Sequence, residues 1–299
     1  MRNTIARCLE QAIEKDRSIV VISADLGYSV FDHLRERFPD NFINIGIAEN
    51  SMVGIAAGLA LAGRRVFIYS ISKFLAGKCF EQIREDVCFH NLPVTFIGAG
   101  AGFAYGFAGY SHFCIDDVGI LRQIPDLEVC SPCDNCEAEK IFWQTLKREA
   151  PTYIRIGKRE KDNVIKNDNA RIVSGAYYLK HTEGNIIIAS YGTIMSEVLL
   201  ASELLIKDGI DVSIVSCPII NPVDMSFFKS NISNGKKLFV VEEHYIDGGL
   251  GDALSQFSPI KIAIPKKTIY VAGTEEYMRQ YSNIDANSIV SIVKQFLKS

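Results

Sequence analysis

The sequence predicts an α/β protein of two successive doubly wound domains, on three observations. Short apolar runs of strand length alternate with stretches of helical apolar spacing, the pattern of a parallel sheet covered by helices. The runs are apolar at nearly every position, as strands buried on both faces are. The pattern lapses once, in a charged, Asn-rich segment near the middle of the chain (GKREKDNVIKNDNAR), and then resumes.

Residues 4–15 space Ile5, Leu9, Ala12 and Ile13 as one face of a helix, and Ser18–Ser23 follows as a strand ending in the turn Ala24-Asp25-Leu26-Gly27. Further strands are expected at Phe42–Ile47, Arg65–Tyr69 and Val94–Gly98, separated by helical stretches such as Ser51–Ala62 and Cys79–Phe89. The linker is placed around Arg155–Arg171, which divides the chain into a domain over 1–165 and another over 166–299. In the second, strands are expected at Ile186–Ser190, Val212–Ser216, Lys237–Glu242 and Thr268–Val271, with helices near Met195–Lys207 and Ala286–Leu297. No internal repeat or low-complexity tract is evident.

At 299 residues, 48% hydrophobic and 22% charged, the chain buries ample core. A formal charge of −3 without a long like-charged block points away from nucleic acid as a partner. No apolar run approaches a bilayer span, and the first residues mix acids and bases with apolar positions, unlike a secretion signal. With eight cysteines scattered through such a chain, reduced thiols in a cytoplasm are expected.

The segment Asn44-Ile45-Gly46-Ile47-Ala48-Glu49-Asn50 sets one carboxylate at the end of an apolar strand, before a helix rich in small residues. Burial without a cation partner raises the pKa of a Glu and lets it share a proton near neutral pH. From the residues alone, an acid favoured by the helix dipole is the more ordinary reading of Glu49. The glycine-rich stretch Gly98–Phe113 follows a strand, yet runs through aromatics to Ser111-His112 instead of opening a helix, so a dinucleotide loop is a weak reading. Cys130, Cys133 and Cys136 have metal-like spacing but no fourth ligand nearby, and no metal is assigned to them. Ser131 or Asp134 is expected to cap the helix that follows.

ADLG, IGIAEN and FLAGKCFEQIRED occur in the order seen in the pyrimidine-binding domain of transketolases, and Val241-Glu242-Glu243-His244 through Gly248-Gly249-Leu250-Gly251 resembles the signature of their C-terminal domain. The resemblance spans nearly the whole chain but only the last two of three transketolase domains. It implies that Glu49 activates thiamine diphosphate through the aminopyrimidine, that Phe74 and Phe80 pack around that ring, and that Asp25 lies at the cofactor's interface. His112 matches a loop histidine that faces the donor sugar. Arg2, Ser29 and Lys158, with Arg155 as a substitute for Lys158, match phosphate-binding positions. Gly100 and Ala108 replace a histidine and an aspartate that bind sugar hydroxyls in the family, which puts the usual sugar substrates in question. His244 and its neighbouring acids are expected to organise a domain or subunit interface.

No Gly-Asp-Gly metal motif occurs in the sequence. The resemblance therefore implies a separately encoded N-terminal subunit that binds the diphosphate through Mg²⁺ or Ca²⁺, an α2β2 assembly, and ketol transfer between sugar phosphates. Alternatives of related architecture are the β chain of a 2-oxo acid dehydrogenase and a divided deoxyxylulose phosphate synthase. A non-catalytic binding or regulatory relic is the alternative of a different class.

Overall fold

The computed structural model describes residues 1–158, 175–232 and 235–298. In the first half, α1 (Arg2–Lys15) leads into β1 (Ile19–Ser23), followed by α2 (Asp32–Arg37), β2 (Phe42–Asn44), α3 (Glu49–Leu61), β3 (Arg65–Ile71) and α4 (Ser72–Lys78). Next come α5 (Phe80–Gln82), β4 (Val94–Ala99), α6 (Asp117–Leu121), β5 (Glu128–Cys130), α7 (Asn135–Thr145) and β6 (Thr152–Ile156). The second half runs β7 (Tyr177–Lys180), β8 (Ile186–Ser190), α8 (Met195–Lys207), β9 (Val212–Ser216), β10 (Ile219–Asn221) and α9 (Met225–Asn231). It ends with β11 (Lys237–Tyr245), α10 (Leu250–Ala253), β12 (Ile260–Ile264), α11 (Glu275–Tyr281) and α12 (Ala286–Lys298).

Two sheets result, one of seven strands in the order β10-β5-β6-β4-β3-β1-β2 and one of five in the order β12-β11-β8-β9-β7. Strand pairs are parallel except at one edge of each sheet, where β10 runs against β5 and β7 against β9. Strand residues divide alternately between two cores. Val20, Ile22, Val66 and Ile68 pack with Met52 and Val53 of α3, while Ile19, Val21 and Phe67 pack with Leu9 of α1 and Phe142 of α7. This alternation buries both faces of the sheet, which is why the strands read as continuous apolar runs. In the second domain Ile186 and Ile188 pack against α8 and α12 through Val198, Leu205, Ile289 and Val293, spaced as one helical face.

The two halves interlock. β10 belongs to the second half yet completes the first sheet through Ile219 and Cys130. Arg122 donates to the carbonyls of Gly248 and Gly249, and His244 Nε2 accepts the Gly119 N–H at 3.1 Å. His244 Nδ1 lies 2.7 Å from the Tyr245 carbonyl, so Nδ1 carries the hydrogen and Nε2 is free to accept. Glu243 is clamped by Arg279 at 2.9 Å.

Several expectations need correction. Thr268–Val271 is not a strand; the edge strand is Ile260–Ile264, whose half-exposed alternation hides it from an apolar-run search. Arg155 lies in β6, so the linker does not begin there, and the expected boundary at 165/166 lies outside the described residues. The stretch Cys79–Phe89 is not one α-helix: α5 gives way to a π-helix over Ile83–Cys88. The cap expected at Ser131 or Asp134 is Asp134, which accepts the Glu137 N–H at 2.9 Å, as the sequence allowed. Cys130 packs into the core with Ile154, and Cys133 into the core of the second domain.

Glu137 is wholly buried where the halves meet, accepting from Tyr177 Oη, Ser216 Oγ and the Cys133 N–H, each at 2.6 Å. Burial pushes its carboxyl above the ordinary 4.5 despite these donors. A carboxyl whose pKa is raised on folding contributes stability that is present below about pH 4.5 and lost as pH climbs through its folded value. Urea unfolding from pH 4 to 7 is therefore expected to show Glu137→Gln gaining on wild type as pH rises. A difference that does not change with pH would contradict this.

Candidate active site

The loop between β2 and α3 delivers Glu49. It is the first residue of α3, 4% exposed, with its carboxylate at the positive end of the helix. The loop is tied to the end of β1 by an exchange in which Asn44 Oδ1 accepts the N–H groups of Asp25 and Gly46, and Asn44 Nδ2 donates to Asp25 Oδ1. Tyr28 Oη donates to the same oxygen at 2.8 Å. These donors, Tyr28 first, hold the Asp25 carboxyl below its ordinary range. Asp25 thus fixes the turn that carries Glu49.

The environment of Glu49 is not free of cations, which corrects the premise under which it was singled out. Lys78 Nζ, at the end of α4, lies 3.4 Å from Glu49 Oε2 and 4.2 Å from the centroid of the Phe74 ring. The neighbouring Asn50 secures α4 by donating to the Lys78 carbonyl at 2.7 Å. Phe74 meets the His112 ring edge-on at 5.3 Å. Lys73 anchors this arrangement from the other side, its Nζ 2.6 Å from Asp116 at the exit of the glycine-rich loop. Phe80 is half-buried and packs against the core with Ile45 and Leu59.

The cations gather around a residue the sequence did not single out. Lys158 Nζ lies 4.6 Å from the Tyr105 ring, and His112 is 6.2 Å from the same ring. Arg2, the first residue of α1, interacts with Tyr105 and hydrogen-bonds Tyr69; its Nε is buried without a partner. Contacts thus run without a break from Glu49 through Lys78, Phe74, His112 and Tyr105 to Lys158, and the Arg2 guanidinium acts on Tyr105 through its charge. Ser29 stays outside this chain. It is exposed, and its N–H goes to Asp32.

Arg155 is corrected outright as a substrate ligand. It is 2% exposed, its Nε donates to both oxygens of Asp117, and its Nη2 donates to the carbonyls of Cys114 and Glu243. Burial opposes its charge, but Asp117 outweighs burial and pushes its pKa up. A guanidinium committed in this way has no free edge for a phosphate.

The residues present fit an aminopyrimidine. A near-buried carboxylate with one long contact leaves acceptor capacity, and the adjacent Phe74 offers a ring to pack against. Among the described residues, no group of three or more His, Cys, Asp or Glu side chains is placed to hold a metal ion. No helix among them is long and apolar enough to cross a membrane.

Residues 1–162 match the family model of the transketolase pyrimidine-binding domain, and residues 175–289 that of the transketolase C-terminal domain. A subunit of the apulose-4-phosphate transketolase of Actinobacillus succinogenes is 33% identical over 86% of this chain and 85% of its own length. A 1-deoxy-D-xylulose-5-phosphate synthase of Halothermothrix orenii is 31% identical over 81% of the chain, which spans only 38% of that protein. A solved split-gene transketolase, described as an inactive β4 tetramer, superposes with a TM-score of 0.86 at 26% identity, covering 98% of this chain and 96% of the other. The chain therefore belongs to the transketolase family and is built of that family's pyrimidine-binding and C-terminal domains.

Proposed function

We propose that the chain is one subunit of a two-chain transketolase that moves a two-carbon ketol unit between sugar phosphates. A separately encoded subunit holds the diphosphate of the cofactor through Mg²⁺ or Ca²⁺. The observation that carries this reading is the continuous arrangement of Glu49, Phe74, His112 and Lys158, with the charge of Arg2 beside Tyr105. It joins a proton-exchanging carboxylate to a cationic subsite. When bound, thiamine diphosphate supplies the stabilisation of negative charge at carbon that carbon–carbon cleavage requires.

The chain's own residues divide the remaining work. Glu49, one oxygen steadied by Lys78, would hold or share the proton that an aminopyrimidine bound there requires. Phe74 orients that ring, and the His112 Nδ1, 2.9 Å from Ser111 Oγ, leaves Nε2 for a substrate hydroxyl. Lys158 and Arg2 attract the phosphate. Exposed apolar side chains on the same loops, among them Tyr28, Ile47, Phe107 and Tyr110, suit a covering chain and support an assembly of two copies of each subunit. None of the eight cysteines is joined in a disulfide, which suits a reducing cytoplasm.

The test is co-expression with a second chain that carries Gly-Asp-Gly, then assay of thiamine diphosphate- and Mg²⁺-dependent transfer from hydroxypyruvate to aldose phosphates. Transfer in the complex and none from either chain alone is expected. Cofactor binding without transfer to any aldose phosphate would sink the reading.

A further inference from the structure

Position 100 has no side chain, and the reason lies in the residue that covers it. Gly100 has φ +92°, and a β-carbon built there would clash with the Cδ2–Cε2 edge of the Tyr105 ring. The ring therefore rests on bare backbone and fills the space a side chain at 100 would use. Around it stand the Lys158 ammonium at 4.6 Å, the His112 ring at 6.2 Å and the Arg2 guanidinium. His112 and Lys158 thus both lie against this ring. Its position is also fixed from behind. Gly102 packs against Glu243, Gly106 accepts the Gly273 N–H at 3.2 Å, and both contacts pin the glycine-rich loop to the second domain.

We propose that Tyr105 is a specificity-determining residue that sets substrate length, making the site one for short phosphorylated aldose acceptors. This inference rests on the ketol-transfer reading above and names the substrate class for the same site. A substrate with its phosphate at Lys158 and Arg2 and its carbonyl end near His112 must cross a wall of fixed width. The ring offers that substrate an apolar face without a hydrogen-bonding group for its hydroxyls. A longer chain needs the volume that the ring already occupies. Its hydroxyls would also lose water against the ring without gaining a partner.

The experiment compares kcat/KM for D-glyceraldehyde 3-phosphate and D-ribose 5-phosphate in the reconstituted complex, with hydroxypyruvate as fixed donor. Wild type is expected to favour the three-carbon acceptor by about tenfold or more, and Tyr105→Ala to lose most of that preference through a lower KM for the five-carbon one. Tyr105→Phe keeps the ring and is expected to keep the preference. An acceptor ratio unchanged in Tyr105→Ala would overturn the proposal, as would a wild type favouring the five-carbon acceptor. If Tyr105→Ala does not assemble, Tyr105→Leu takes its place with the same expectation. Dissociation constants of both phosphates, measured by calorimetry, report the same ratio without turnover. A complex that binds with the expected selectivity but transfers to no acceptor would therefore refute the ketol-transfer reading and not the role of Tyr105.

Discussion

Glu49→Gln is expected to lower kcat/KM of the reconstituted complex by about 10²–10⁴-fold, the range spanned by a positioned acid–base group. The substitution keeps the shape of the side chain and removes its ability to exchange a proton. Folding should change little, because Lys78, the cation left behind, is half-exposed and remains solvated. The relevant comparison is therefore activity against the melting temperature of the same preparation. A large loss of activity at unchanged melting temperature fits a proton-exchanging carboxylate. Retention of activity within about tenfold would instead leave Glu49 as an acid placed by the helix dipole.

The second large effect concerns stability. Arg155→Met is expected to destabilise the chain by about 3–5 kcal/mol, because it strips the cation from a wholly buried Asp117. Tyr153 Oη, at 2.8 Å, and the weakly donating Cys114 thiol would be left as side-chain donors to that carboxylate. The hydrogen bonds of Arg155 to the Cys114 and Glu243 carbonyls, which join the first domain to β11, would go as well. Urea unfolding of the isolated chain measures the loss, and the double variant Arg155→Met/Asp117→Leu should recover part of it. A destabilisation below about 1 kcal/mol would contradict the assignment of Arg155 to structure and reopen its candidacy for phosphate.

These two residues mark how far the sequence could be read. Glu49 was legible because its signal is local: an apolar strand ends, a helix of small residues begins, and the carboxylate sits at the joint. The apolar runs of β1, β3, β4, β8 and β9 were legible for a related reason, since both faces of these strands are covered. Arg155 was misread because a charged residue inside a short strand looks like the start of a linker. Only the tertiary contact with Asp117, 38 positions away in sequence, shows that it is buried and paired. Lys78 was missed because its approach to Glu49 depends on how α4 packs beside α3. Tyr105 gave no signal at all, as one aromatic among several in a glycine-rich loop. β10 and β12 were lost to shortness and to half-exposure.

The most direct test of the central claim, that this chain supplies one half of a shared cofactor site, is a calorimetric titration of thiamine diphosphate with Mg²⁺. It is run into the isolated chain and into its complex with the second chain that carries Gly-Asp-Gly. The account predicts saturable binding at one cofactor per pair of chains in the complex and none to the chain alone. Saturable binding to the isolated chain, or binding to the second chain that is unaffected by adding this one, would contradict it.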